Sequence, residues 1–292
     1  MLALNKQHYS NLVLTILLIL FIGIIAHLGF DVSQNEFSFI LIDFSLLFGI
    51  YILLWKKFAK SKYTLLLGLA IGIRMLLIFS TPSLSDDIYR FLWDGYLSAQ
   101  GTNPLAWIPE KIIQNPALST PYLESLYPLL NSAGYFSVYP PLAQLTFLLA
   151  AVFAQSIVGQ IICIKIILFG FELATFWMIN KLLKHFNFSR SLLFLYALNP
   201  LVIIEIMGNT HYEGVLYFFL IWGVWLSVKK TGPVYAGLAL ASSVASKLTS
   251  LMYLPLWLRF KGLKWAIGFY LIVLVALVLY WMPSVPNQRA FA

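Results

Sequence analysis

Long apolar runs, separated by short polar turns, set the pattern of the chain. A helix needs about 20 mostly apolar residues to cross a bilayer. Nine runs approach that template, near residues 11–30, 37–55, 63–81, 138–157, 160–180, 190–207, 211–228, 233–258 and 264–282, all rich in Leu, Ile, Phe or Val. The alternation with frequent turns that marks an outer-membrane barrel is missing. The predicted fold class is therefore all-α: a polytopic helical membrane protein of about nine transmembrane segments, with a long outer loop over 82–136 after the third span. The first run is too long for a signal-peptide core, lacks a small-residue cleavage site and leads into Asp31, which predicts an uncleaved span. Residues 1–292 read as a single transmembrane domain that carries this loop.

Composition strengthens the reading. Of 292 residues, 61% are hydrophobic and 10% charged, against roughly 45–50% and about 25% in an ordinary globular domain. A soluble domain of this size has too little interior to hide that much apolar surface. The same figures argue against a disordered chain, a collagenous chain and a nucleic-acid binder. Cys163 is the single cysteine, so no intrachain disulfide can form.

The net charge of +8 matters through its placement. Lys56, Lys57, Lys60 and Lys62 lie between the second and third runs, which puts that loop in the cytoplasm and the 82–136 loop outside. Later clusters (Lys181, Lys184 and Arg190; Lys229 and Lys230; Arg259, Lys261 and Lys264) do not alternate as nine simple spans require. If 138–157, which opens on Tyr139-Pro140-Pro141, fails to cross, the first two clusters turn inward. The pattern leaves sidedness beyond residue 138 open.

The outer loop gathers five of the 11 acidic residues: Asp86, Asp87, Asp94, Glu110 and Glu124. Adjacent carboxylates repel, which raises one pKa unless a cation or hydrogen bonds offset it. The pair Asp86 and Asp87 suits metal coordination by hard oxygens, general-base work on a hydroxyl, or the capping of a following helix. Arg90, beside three carboxylates, could neutralise them or meet a phosphate.

A second set of charges, Arg74, Lys165, Glu172, Glu205 and Lys247, falls within or at the ends of apolar runs. A charge at a helix centre costs about 2.5–3.5 kcal/mol on insertion scales, so each needs a reason. Lys247 lies mid-run among small residues; Lys165 and Glu172 sit two turns apart on one helix face. A third set is the turn Gly208-Asn209-Thr210-His211-Tyr212-Glu213-Gly214. Turn geometry accounts for Gly and Asn but not for His211 and Glu213, and two ligands do not make a zinc site.

The ordered set Ser85-Asp86-Asp87-Ile88-Tyr89-Arg90, Asp94-Gly95, Gly101-Thr102-Asn103-Pro104, Tyr139-Pro140-Pro141-Leu142, Asn199-Pro200, Gly208 to Glu213, and Ala236-Gly237 running to Lys247 and Pro255 resembles the GT-C superfamily of membrane glycosyltransferases. The pattern is most similar to the mannosyltransferases related to the enzyme of the first GPI mannose and to their bacterial relatives. The chain departs from them in its adjacent Asp pair, where Asp-x-Asp is common, in having three runs before the loop rather than one, and in stopping where relatives continue. The last departure predicts a C-terminally truncated fragment.

The resemblance implies transfer of a hexose, mannose, from a polyprenyl-phosphate donor to a hydroxyl of a lipid-linked or glycan acceptor, with inversion. It implies an outer-face site in a bacterial cytoplasmic membrane, and it implies no nucleic acid. Asp86 or Asp87 would be the general base, and the same pair would hold a divalent metal ion if one is used. Arg90 and Lys247 would meet the phosphate, Arg90 being preferred, and Asp94, His211 and Glu213 would bind substrate. The alternative is a multi-span transporter or flippase of a lipid-linked or polar substrate, which also needs many spans and buried charges. No internal repeat supports it.

Overall fold

The computed structural model describes residues 2–229, 231–259 and 262–282; Lys230 and Lys261 of the basic clusters lie outside them. The regular elements described are all helical: α1 (Leu2–Phe30), α2 (Phe37–Phe58), α3 (Tyr63–Leu77), α4 (Asp87–Ala99), α5 (Pro109–Ile113), α6 (Pro121–Leu126), α7 (Pro141–Phe153), α8 (Ile157–His185), α9 (Phe194–Ala197), α10 (Pro200–Ile203), α11 (Glu213–Val228), α12 (Pro233–Ser246) and α13 (Leu263–Trp281), with stretches of tighter or wider helix between some of them. They form two compact units. One comprises Met1–Ser85 and Ile179–His211, the other Asp86–Met178 and Tyr212–Ala292, and the division falls inside α8.

Among the described residues, four helices are long and apolar enough to cross a membrane: Gln7–Phe30, Phe37–Phe58, Ile157–His185 and Leu263–Trp281. Ile19, Phe37, Ile42 and Leu274 on these helices are each more than half exposed. Water would not tolerate so continuous an apolar surface, and the chain is an integral membrane protein. The helices at Tyr63–Leu77, Pro141–Phe153, Glu213–Val228 and Pro233–Ser246 are apolar but shorter. At 1.5 Å per residue, a 15-residue helix reaches only about 22 Å of a hydrocarbon core about 30 Å thick.

Two predicted runs are broken. In the first unit, 190–207 becomes two helical pieces bent by 57°. Pro200 cannot donate to the preceding turn, and the Asn199 side chain accepts from Leu201 N at 3.0 Å to start a new helix. The break frees the Ala197 carbonyl, which takes the Arg74 Nη1 donor at 2.8 Å. Arg74 is fully buried and also donates to Ala70 O at 3.0 Å. This intramembrane charge thus satisfies a helix end that lipid could not. In the same unit His27 Nδ1 meets Asp43 Oδ2 at 2.7 Å between α1 and α2.

In the second unit, 233–258 breaks at Lys247, which is extended (φ −157°, ψ 127°) between α12 and the 3-10 helix Leu248–Arg259. Ser250 meets the freed backbone, its N and Oγ both reaching Lys247 O at 3.2 Å, while Ser243 Oγ donates across to Leu216 O of α11 at 2.9 Å. Small residues let α12 lie close to α11 and α13. Trp257 stacks on Phe269 and donates from Nε1 to Ser227 Oγ at 2.9 Å.

Helix α4 packs directly against the backbone of α7. A Cβ on Gly95 would fall 2.4 Å from the Phe147 carbonyl oxygen, and that atom is backbone. Gly95→Val is expected to destabilise the protein by about 1–3 kcal/mol through overpacking. Gly68, with open space around its Cβ position, should accept alanine without loss. Thermal unfolding of both variants in detergent checks this; equal melting temperatures would contradict the packing.

Candidate functional site

The acidic pair opens α4. Asp86 is the N-cap residue, its backbone carbonyl accepting from Tyr89 N at 3.2 Å, while its side chain makes no capping bond. Asp87 stands in the first turn, where unpaired backbone N–H groups favour a carboxylate. It is half-buried, accepts from Asn131 Nδ2 at 3.1 Å, and is also met by the Tyr139 hydroxyl.

One turn on, Arg90 and Asp94 form an ion pair, Nε to Oδ1 at 2.9 Å, with exposures of 1% and 0%. Arg90 Nη1 donates to the carbonyls of Ser132 and Tyr135, both at 3.0 Å. Asp94 Oδ2 accepts from Ser137 Oγ and from Gln144 Nε2 at 2.8 Å. Burial pushes the Asp94 carboxyl up, and Arg90 with the two further donors pulls it back. Sequence reasoning offers both residues as substrate-binding. The structure uses Asp94 wholly inside the protein, and it leaves Arg90 one buried donor, Nη2, without a partner among the described residues.

Two cavities adjoin this network. A polar one of about 320 Å3 is lined by Asp87, Arg90, Asn131, Ser132, Ser137 and Tyr139, with Tyr135 and Phe136 beside them. A mainly apolar one of about 520 Å3 lies along α7, with Leu142, Leu145 and Leu148, then Leu279 and Tyr280 of α13, and Gly101 to Leu105. Gln144 lines the apolar cavity and Ser137 the polar one, and both bond to Asp94. The segment Gly101-Thr102-Asn103-Pro104 has a backbone role here. Gly101 takes φ +76° to end α4, and Asn103 Oδ1 accepts from Leu105 N at 2.9 Å.

The remaining candidates fall into two groups. In the second unit Lys247 Nζ bonds Glu213 Oε1, and both side chains are about one-third exposed (37% and 28%). Glu213 Oε2 is buried without a hydrogen-bond partner among the described residues. In the first unit His211 Nδ1 lies 2.6 Å from Glu205 Oε2, and its Nε2 lies 3.3 Å from Ser85 Oγ. Sequence proximity pairs His211 with Glu213; the structure gives each a different partner. Lys165 and Glu172 are fully buried in α8.

Sequence reasoning misses Asn131, Ser132, Ser137 and Gln144. Their signal is a scatter of small polar residues just before and after Tyr139-Pro140-Pro141, too ordinary to stand out. Among the described residues no three His, Cys, Asp or Glu side chains gather where they could hold a metal ion. Asp86 and Asp87 are thus the whole of any acidic donor set at the start of α4, and no step is routed through a metal.

A relative in Corynebacterium glutamicum, alpha-(1->6)-mannopyranosyltransferase B, is 28% identical over 167 residues, 56% of this chain and 26% of its own. Alpha-(1->6)-mannopyranosyltransferase A of the same organism is 28% identical over 182 residues, 61% of this chain and 35% of its own. Its counterpart of the same name in Mycobacterium tuberculosis is 28% identical over 230 residues, 72% of this chain and 42% of its own. The chain therefore spans between about a quarter and two-fifths of these curated relatives. No solved structure matches it. Residues 37–261, which hold the acidic pair, the Arg90–Asp94 network and Lys247, match the family described as alpha-(1->6)-mannopyranosyltransferase, N-terminal domain, and the chain belongs to that family.

Proposed function

We propose that the chain acts in a membrane mannosyltransferase that moves mannose from a polyprenyl-phosphate donor to an acceptor hydroxyl on a lipid-linked or glycan acceptor. The observation that carries this reading is Asp87 facing a polar cavity of about 320 Å3 in a chain of a mannopyranosyltransferase family. A cavity of that size accommodates a hexose, and hydroxyl, amide and carboxylate groups around it match sugar hydroxyls. The apolar cavity along α7 supplies a place for an isoprenoid chain, and Asp94 ties the walls of both together.

In the proposed step Asp87 takes the proton of the acceptor hydroxyl. That oxygen forms a bond to the anomeric carbon. The bond from this carbon to the phosphate oxygen breaks on the opposite face, and polyprenyl phosphate leaves with the electron pair. Asp86, next in the chain, is the second acidic group at the same helix end. Tyr139 and Asn131 orient Asp87, and Arg90 lines the same cavity. Lys247, partly exposed and held by Glu213, is the candidate cation for the phosphate. Asp94 is a positioning residue.

The reading keeps all nine apolar runs in the bilayer, the shorter helices being apolar as well, and puts 82–136 outside a bacterial cytoplasmic membrane. Membranes holding the chain are expected to convert polyprenyl-phosphate [14C]mannose into a covalent mannosyl product whose anomeric configuration is opposite to that of the donor. Movement of label across the membrane without a covalent product would instead indicate a transporter, and retained configuration would remove the single displacement. For orientation, in a Cys163→Ser background, Glu110→Cys should react with an impermeant maleimide in intact cells and Lys60→Cys only after permeabilisation. The reverse labelling would overturn the sidedness.

A further inference from the structure

The first unit holds a cavity that plays no part in the proposed transfer. It measures about 550 Å3 and lies where α2 ends, lined by Lys56, Lys57, Lys60, Ser189, Ser191 and Trp55 among others. Two segments far apart in sequence build it. Tyr63 joins them: its hydroxyl donates to Asn180 Oδ1 at 3.1 Å, and the Arg190 guanidinium stands 4.7 Å over its ring. Ser189 and Ser191 share a hydrogen bond of 2.8 Å between their hydroxyls.

Charge makes the cavity unusual. Residues 44–85 contain no Asp or Glu, and neither do residues 179–204, so each segment brings Lys or Arg and no carboxylate. A row of lysines at a helix end is the ordinary sign of a cytoplasmic loop. Orientation alone, however, needs neither a second segment folded against the lysines nor hydroxyl groups opposite them. Three ammonium groups, two serine hydroxyls and an indole around one hollow match a phosphate oxyanion with apolar matter beside it. Ammonium ions act as mobile point charges toward phosphate, and a basic hollow at a helix end is the form that acidic lipid headgroups recognise.

We propose that this cavity binds a phosphate group at the membrane surface, that of an anionic phospholipid headgroup or of a free phosphate. The lysines provide the charge, the serines the hydrogen bonds, and Trp55 the contact with the glycerol region. The proposal does not depend on the transferase reading.

The test uses the full chain in neutral detergent, with phosphatidylglycerol, phosphatidylcholine and inorganic phosphate as probes and the rise in melting temperature as readout. The variant Lys56→Gln/Lys57→Gln/Lys60→Gln keeps Lys62, Lys181 and Lys184 as orientation signals, and Ser191→Ala tests the hydroxyls without changing charge. Phosphatidylglycerol, and not phosphatidylcholine, should stabilise the unaltered chain. The triple variant should need about a hundredfold more lipid for the same rise, three basic residues near such a surface together supplying about that factor, and Ser191→Ala should need several-fold more. Stabilisation by inorganic phosphate that is lost in the triple variant would support the same site with a soluble ligand. Equal stabilisation of the unaltered chain and the triple variant, or none by either phosphate probe, would overturn the proposal.

Discussion

Burying Arg90 and Asp94 together is the constraint around which the candidate site is arranged. A buried ion pair returns little net stability, because removing two charges from water costs about as much as their attraction yields. Its value here is geometric. Asp94 accepts from α4 itself, from Ser137 and from Gln144 of α7, and Arg90 reaches the carbonyls of Ser132 and Tyr135. One pair therefore fixes α4, the approach to α7 and the 132–137 segment. Gly95 makes the arrangement possible, since no side chain fits between α4 and the Phe147 carbonyl. Asp87, two turns before Asp94 on the same helix, inherits its position from this frame.

The same economy appears elsewhere. Two of the scarce charges in apolar stretches are matched to a backbone or side-chain need. Arg74 ends a helix broken by Pro200, and Lys247 leaves the helix at a break that Ser250 repairs and turns to Glu213. Where lipid supplies no hydrogen bonds, a broken helix is tolerable only if side chains take the place of water.

Much of this was legible in the residues. Leu-, Ile- and Phe-rich runs gave the helical membrane class, and the adjacent Asp86 and Asp87 stood out because carboxylates are rare in this chain. Pro200 announced a break that the span template smoothed over. Other features were not legible, because they depend on distance in space. Arg74 meets a carbonyl 123 positions away, and Lys247 a carboxylate 34 positions away. His211 meets Glu205 rather than Glu213 because the wide turn Ile204–Gly208 shifts which residues face each other. Asn131, Ser137 and Gln144 are ordinary polar residues whose importance arises only once the fold sets the first beside Asp87 and the other two beside the buried Asp94.

The central claim separates chemistry at Asp87 from anchoring at Asp94, and one paired measurement tests it: mannose transfer and thermal unfolding, on the same preparations of the unaltered chain, Asp87→Asn and Asp94→Asn. The account predicts that Asp87→Asn unfolds at nearly the same temperature while transfer falls by about two orders of magnitude or more. Asp94→Asn, which leaves the buried Arg90 without its partner, should lose about 3–5 kcal/mol of stability. Full transfer by Asp87→Asn, or an unchanged melting temperature for Asp94→Asn, would contradict it.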